Sequence, residues 1–186
     1  MLVTILLSCK RQDWLNSYNM GVRHVFRHIT FAPEQLHNLA WDVEQYPRFI
    51  NFISALRIIT CSEEQMRAEV RVKYKMIREA FITDVFRDME TLEIVVKLVK
   101  GPFRKLENHW RFHLLADGST LVEFWVNFDF SIPIIGKLFL AKQVRAEKAI
   151  LEAFERRADQ LFTSIAPKLE LKETVQQQID QLQAVT

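Results

Sequence analysis

Cysteine, glycine and proline are all scarce in this chain, whose 186 residues include two cysteines, four glycines and five prolines. Cys9 and Cys61 lie far apart, with no CxxC spacing and no neighbouring histidine. This argues against a disulfide framework or a cysteine metal site, and favours free thiols in a reducing compartment. HExxH motifs, nucleophile elbows and phosphate-binding glycine loops are also missing from the sequence.

Long apolar runs and a strong charge of either sign are missing as well. No run approaches the roughly 18 apolar residues that span a bilayer. The formal net charge of +2 is too small to argue for nucleic-acid binding by itself. The short apolar run 2–7 has no basic residue before it and does not predict a signal peptide. We expect residues 1–19 to be an extension, either disordered or upstream of a true start at Met20.

Aromatic residues are plentiful, with 14 Phe and 4 Trp. Each buries a large area, so they predict either a bulky packed core or an interior built around an apolar guest. The length and the ordinary fraction of charged residues, 26%, predict one main domain, which we place at residues 20–165.

Alternating apolar and polar residues predict a series of antiparallel strands. In the segment 120–130, Val122, Phe124 and Phe128 share one face while Glu123 and Asp129 share the other. The same alternation predicts strands over 22–31, 67–75, 81–87, 91–99 and 106–114, with one more candidate starting near residue 55.

Helical signals lie after the first strand and after the last. Pro33 and Glu34 suit the first turn of a short helix, and a second short helical segment follows Asp42. From Ile134 to Ile165 the apolar period changes to about 3.6, which predicts a long helix. We therefore expect an α+β fold, in which a curved antiparallel sheet of six or seven strands is covered by this helix. Residues 166–186 are a polar tail, either a short amphipathic helix or weakly ordered.

Three segments together carry a family resemblance: DVEQYPRFINFISALRI (42–58), GPFRKLENHWRF (101–112) and DGSTLVEFWVNFDF (117–130). In this order they resemble the coenzyme Q-binding START-like family. That family is part of the polyketide cyclase and lipid-transport superfamily and includes bacterial ribosome-association toxin proteins. The resemblance spans about residues 22–162 and implies a helix-grip fold, in which the sheet wraps the C-terminal helix and encloses an apolar tunnel.

The resemblance also implies a function and a ligand. Family members bind ubiquinone or a similar prenylated quinone without chemistry of their own, and support respiratory or quinone-biosynthesis enzymes. A catalytic cofactor or metal is not expected; His24 and His28 are about 13 Å apart along a strand, too far for one ion. Since no transit-peptide composition precedes the domain, we expect a bacterial cytoplasmic protein peripheral to the inner membrane, or one on the matrix side if the source is eukaryotic.

The predicted ligand-binding residues are the inward apolar and aromatic side chains, each of which could equally be ordinary core. They are Val70, Val72, Tyr74, Phe81, Ile94, Val96, Phe103, Trp110, Phe112, Phe124, Phe128, Val144, Leu151 and Phe154. Tyr74 and Trp110 carry polar tips that could meet a quinone carbonyl.

A membrane-contacting gate is predicted in the apolar segment after the last strand, where lysines flank apolar side chains. Its residues are Ile134, Ile135, Lys137, Leu138, Phe139 and Lys142. A helix start packed under a loop would give the same pattern.

Two alternatives remain open at this stage. Arg67, Arg71, Lys73 and Lys75 form a basic outer face on one strand, which could contact ribosomal RNA or simply be solvated. In that reading the protein is a ribosome-associated toxin that binds the large subunit and blocks subunit association. The second alternative is a polyketide cyclase-like enzyme, for which the sequence offers only the outward carboxylates Asp84 and Asp129.

Overall fold

The computed structural model describes residues 20–74, 77–131 and 143–185. Seven strands form one antiparallel sheet in the order β1-β7-β6-β5-β4-β3-β2. The strands are β1 (Met20–Ile29), β2 (Ile53–Cys61), β3 (Gln65–Tyr74), β4 (Ile77–Asp88), β5 (Glu93–Lys100), β6 (Phe103–Leu114) and β7 (Thr120–Phe130). The predicted α+β class and strand number are confirmed.

Helices within the described residues lie at both ends of the strand series. They are α1 (Pro33–Trp41), α2 (Tyr46–Phe49), α3 (Gln143–Leu161) and α4 (Lys172–Ala184), with short 3₁₀ turns at Val43–Gln45 and Leu169–Leu171. Pro33 and Glu34 lie in the first turn of α1, as the sequence predicted, and the negative charge of Glu34 interacts favourably with the positive N-terminal end of the helix. None of these helices is both long and apolar enough to cross a bilayer.

The concave face of the sheet carries the main core. Trp110, Phe112 and Phe124 are buried there against Leu151 and Phe154 of α3. Phe154 contacts Trp110 with ring centroids 4.9 Å apart. This packing confirms the helix-grip arrangement, because α3 covers the same face toward which the alternation of β6 and β7 points.

The convex face carries a smaller apolar cluster beneath α4. Val175 of α4 is buried against Leu115 and Leu121, with Phe26 of β1 beside them. The side-chain amide oxygen of Gln178 accepts a hydrogen bond from the backbone N–H of Ala116, at 2.8 Å. The segment 166–186 therefore contains a helix that packs on the sheet, and the β1–β7 region is covered on both faces.

Two details of the strands differ from the sequence prediction. The alternation of β6 places Leu114 on the inner face, but Leu114 is 64% exposed because the strand ends there, beyond the cover of the helices. Glu123 follows the outward alternation of β7 and yet is only 6% exposed, because neighbouring side chains on the convex face close over it.

Candidate functional site

An apolar cavity of about 170 Å³ lies between the concave face of the sheet and the helices. Strands β2 to β7 and helices α1 to α3 all contribute to its wall. The lining residues are Ala40, Val43, Tyr46, Ile50, Phe52, Ile53, Leu56, Ala68, Val70, Phe81, Thr83, Val85, Ile94, Val96, Asn108, Trp110, Phe124, Ile150 and Phe154.

Seven residues predicted to bind a ligand border this cavity: Val70, Phe81, Ile94, Val96, Trp110, Phe124 and Phe154. They come from five strands and α3, so the fold brings together side chains that are far apart in sequence. Their role in ligand binding stays a prediction, but their convergence on one space is what a binding site requires.

The other predicted ligand residues lie elsewhere. Phe112 and Leu151 are part of the packed core, and Phe128 is buried away from the cavity wall. Val72 borders a different depression on the protein surface. Phe103 packs between Phe81 and Phe130, with ring centroids 5.3 and 4.6 Å away, so one ring separates it from the cavity. The side chains of Tyr74 and Val144 lie outside the described residues.

Sequence reasoning missed the polar groups of the cavity wall, Tyr46, Thr83 and Asn108. Thr83 and Asn108 stand at inward-facing positions in the alternation of β4 and β6, so this alternation could have identified them. Tyr46 lies in the segment between α1 and β2. The apolar residues there follow neither the two-residue period of a strand nor the 3.6-residue period of a helix, so the sequence does not assign the side chain of Tyr46 to a face. Its position follows from the packing of α2 on α3.

Tyr46 is held by an aromatic cluster and by one hydrogen bond. Its ring is edge-on to Phe49 and Phe154, with centroids 5.6 and 5.2 Å away. Its hydroxyl donates to the backbone carbonyl of Ala40. Burial raises the pKa of Tyr46 above its usual range, and the charge of Asp42 adds to the effect. The hydroxyl therefore stays protonated and donates its hydrogen bond to Ala40 rather than to a guest.

The size of the cavity restricts what could bind in this conformation. Sites for drug-sized ligands measure about 300–1,000 Å³, whereas an engineered cavity of about 150 Å³ holds benzene. A space of about 170 Å³ is close in volume to the cavity that holds benzene and lies below the usual range for drug-sized ligands.

His37 is a buried titratable group beside the cavity wall. It is 0% exposed, lies edge-on to Phe112 at 5.9 Å, and neither ring nitrogen has a hydrogen-bond partner among the described residues. Burial lowers the pKa of His37 below 6.5, because a charged imidazolium loses its hydration there. The backbone of Glu93 and the charge of Asp88 favour the protonated form of His37, but the loss of hydration outweighs them.

On the convex face, Glu123 joins three cationic or titratable side chains. Its carboxylate accepts hydrogen bonds from His24 Nε2 at 2.9 Å, His113 Nε2 at 2.8 Å and Arg111 Nη1 at 3.2 Å. Burial raises the pKa of Glu123, but the hydrogen bonds from His113 and His24 and the charge of Arg111 outweigh it and hold the pKa below 4.5. Among the described residues no group of three or more candidate ligands could hold a metal ion.

The predicted basic face on β3 is largely neutralised by its neighbours. Arg67 donates to both carboxylate oxygens of Asp84, at 2.7 and 2.8 Å. Glu69 accepts from Arg57 and from Arg71, each at 2.9 Å. These partners come from the cross-strand register and from β3 itself. Lys75 lies outside the described residues.

Lys73 is exposed and, unlike Arg67 and Arg71, makes no ion pair with another described residue. A second depression lies beside it. The depression measures about 340 Å³ and borders the β3–β4 hairpin and the start of β2. Its border consists of Ser54, Arg71, Val72, Lys73, Arg78, Glu79 and Ala80.

The predicted membrane gate cannot be placed in the structure, and the two candidate catalytic carboxylates are both bound to arginines. The predicted membrane gate, Ile134, Ile135, Lys137, Leu138, Phe139 and Lys142, falls in the segment 132–142, outside the described residues. Asp129 accepts hydrogen bonds from Arg104, the closer at 2.9 Å, and Asp84 is bound to Arg67.

The sequence profile of a polyketide cyclase/dehydrase and lipid transport family matches residues 29–155. The chain belongs to this family. The matched segment runs from the end of β1 into α3, so it includes every residue that lines the cavity, while α4 lies beyond it.

Relatives of two kinds resemble the chain in sequence. It is 31% identical over 142 residues to the ribosome association toxin RatA of Escherichia coli strain K12, covering 73% of this chain and 85% of that protein. It is 23% identical over 161 residues to the mitochondrial coenzyme Q-binding protein COQ10 homolog B of Xenopus laevis, covering 84% of this chain and 62% of that protein.

A solved structure shows the same fold. The Zhui aromatase/cyclase from Streptomyces sp. R1128 superposes with a TM-score of 0.68, covering 75% of this chain and 94% of that one. The identity is 14%, so this likeness concerns the fold alone. The description of the family itself covers both cyclases or dehydrases and lipid transport.

Proposed function

We propose that this protein associates with the ribosome. The observation that carries the proposal is its 31% identity to a ribosome association toxin over 85% of that protein's length. The sequence alone favours ubiquinone binding and gives ribosome association as the alternative. The similarity to the toxin, however, covers more of the relative and at higher identity than the similarity to the coenzyme Q-binding protein. The finer form of the proposal is that the protein binds the large subunit and blocks subunit association.

Sedimentation of the full-length protein with purified bacterial ribosomes tests this proposal. We expect co-migration with ribosomal particles at low salt and a loss of it at high salt, because contacts to RNA phosphates weaken as salt rises. If subunit association is blocked, the joined ribosomes will decrease and free subunits increase. Protein that stays at the top of the gradient at every salt concentration would contradict the proposal.

The second candidate function is binding of an apolar guest, ubiquinone in particular. The cavity favours it, since its wall is apolar apart from the few polar groups named above. The cavity is close in volume to one that holds a single ring, and a prenyl tail requires it to open further. The carrier would deliver its guest from the bacterial cytoplasm at the inner-membrane surface, to respiratory or quinone-biosynthesis enzymes.

Organic extraction of the purified protein, followed by mass spectrometry, tests this second candidate. Stoichiometric ubiquinone supports it, and an extract without any quinone or lipid speaks against it. Cyclase activity is not proposed, because the family description covers lipid transport as well as cyclases and the 14% identity to an aromatase/cyclase concerns the fold alone.

A further inference from the structure

Two cations oppose each other at the hairpin end of β3 and β4. Lys73 and Arg78 are register partners in the antiparallel pair, and both are exposed. Neither makes an ion pair with another described residue, in contrast to Arg67 and Arg71 on the same strand. Like charges directly opposite each other destabilise an antiparallel pair. Sheet stability therefore gives no reason for this pairing.

The same two cations border the second depression. Arg71 also borders the depression, and its guanidinium donates a hydrogen bond to Glu69 at 2.9 Å. The hydroxyl of Ser54, another border residue, donates to the backbone carbonyl of Arg71 at 3.1 Å. The depression is therefore a concave surface with three cationic side chains on its border and one carboxylate, Glu79.

Positive charge predominates among the described residues at this corner. Arg57, Arg71, Lys73 and Arg78 provide four positive charges against the two negative charges of Glu69 and Glu79. The surplus of two equals the formal net charge of the whole chain. A concave surface with one dominant sign attracts counterions of the other sign.

We propose that this depression binds phosphate groups of an RNA backbone, with Lys73 and Arg78 as the contacting cations. The inference rests on the proposed ribosome association and adds the surface through which it occurs. An anion between the two side chains would relieve their repulsion, and backbone phosphates supply such anions without requiring a base sequence. A lipid surface would also need exposed apolar side chains, whereas the described border offers only half-buried Val72 and the small Ala80.

The salt dependence of ribosome binding tests this assignment. The variant K73Q/R78Q removes both contacting charges and keeps side chains of similar length. Binding of the full-length protein to purified ribosomes is measured at several salt concentrations, and the slope of log K against log salt is compared with the wild type. Loss of two phosphate contacts should make the slope shallower by about 1.4 to 1.8.

A matched control changes the same charge elsewhere on the sheet. Lys97 and Lys105 are exposed and make no ion pair among the described residues. Lys97 is the register partner of Asp84 on β4. Asp84 is six residues along that strand from Arg78, so the two positions are separated by roughly 20 Å at 3.3 Å per residue. K97Q/K105Q should therefore keep the wild-type slope. K73Q/R78Q should also unfold at the same temperature as the wild type or higher, because the repulsion is gone.

The outcomes separate this inference from the function on which it rests. If the wild type binds ribosomes and K73Q/R78Q keeps its slope, the phosphate site is wrong and ribosome association stands. If the wild type does not bind ribosomes, both are wrong. Vesicles of phosphatidylglycerol and phosphatidylcholine form the second arm: if K73Q/R78Q loses vesicle binding and keeps ribosome binding, the depression is a lipid headgroup site and the RNA assignment is overturned.

Discussion

Gly101 lies so close to Phe81 that a β carbon at position 101 would overlap the β carbon of Phe81. The two residues belong to the β5–β6 turn and to β4, beside the register shift between Ile82 and Thr83. Gly101 and Pro102 form the turn that joins β5 to β6. The absence of a side chain at position 101 lets this turn approach the strand that carries Phe81 to the cavity wall.

We expect the variant G101A to be destabilised by about 1–3 kcal/mol, the usual cost of overpacking a site that cannot relax. The overlapping atom is a β carbon attached directly to the backbone, so a rotamer change cannot relieve it. Urea denaturation measures the effect. Lys100→Ala, at the exposed neighbouring position, is the control and should change stability little. Equal stability of G101A and the wild type would show that the turn can move away from β4.

His37 predicts a pH dependence of stability. Because burial lowers its folded-state pKa below 6.5, the unfolded chain binds this proton more readily than the folded one. Stability should therefore fall as the pH drops below about 6.5. The variant H37L removes this effect, so the difference in unfolding free energy between H37L and the wild type should increase from pH 7 to pH 5.

H37L should also be more stable than the wild type at pH 7, because the buried ring nitrogens have no hydrogen-bond partner in the described part of the chain. Parallel stability curves for the two proteins between pH 7 and 5 would contradict the assignment of the pH dependence to His37. Denaturant titrations at pH 5, 6 and 7 make the comparison.

The adjacent residues Val95 and Val96 offer a test of the cavity. Val96 borders the cavity, whereas Val95 pairs with His109 and faces the convex side. V96F should fill part of the space and reduce affinity for a short-tailed ubiquinone about ten- to hundredfold, which corresponds to an overpacking cost of about 1–3 kcal/mol. Isothermal titration provides the measurement.

V95F is the matched control, since it adds the same ring to the same strand on the opposite face. It should leave quinone affinity unchanged. Ribosome binding should be unchanged in both variants, because the cavity is not the proposed RNA-binding surface. If V95F and V96F lower quinone affinity equally, the guest does not occupy this cavity.

Glu123 is expected to stabilise the convex face as a charged acceptor. E123Q removes the negative charge and replaces one of the two acceptor oxygens with an amide N–H₂, so at least one of the hydrogen bonds from His24, His113 and Arg111 loses its acceptor; this should cost about 1–3 kcal/mol. Since the folded-state pKa lies below 4.5, the contribution of Glu123 is present above that pH and disappears as the pH falls through the lowered pKa. Denaturation at pH 7 and pH 3 should show a large difference between E123Q and the wild type only at pH 7.

The local patterns of the sequence predicted the strands, most of the inner faces and the existence of the C-terminal helix, because each depends on neighbours within one element. The helix ends at Leu161, before the predicted Ile165, and its predicted start at Ile134 lies outside the described residues. Val70, Trp110 and Phe124 share the cavity wall as their alternation indicates. The partners of Arg67 and Glu69 could not be predicted in this way. They depend on the register between strands, which places Asp84 opposite Arg67 and Arg57 opposite Glu69.

The position of α4 could not be predicted either. Its apolar residues indicated an amphipathic helix, but only the tertiary structure shows that Leu115, Leu121 and Phe26 form the surface it covers. Tyr46 was missed for a similar reason, since its place in the cavity wall depends on how α2 packs against α3.

The cover that α4 provides over β7 has a consequence for how the molecule opens. β7 lies between β1 and β6 in the sheet, with the main core on its concave side and the Leu121–Val175 contact on its convex side. Its amides exchange only when its hydrogen bonds to β1 or β6 break, and the cover on both faces limits the access of solvent to them. In hydrogen–deuterium exchange, β7 should be among the last segments to take up deuterium, while the edge strand β2 exchanges early.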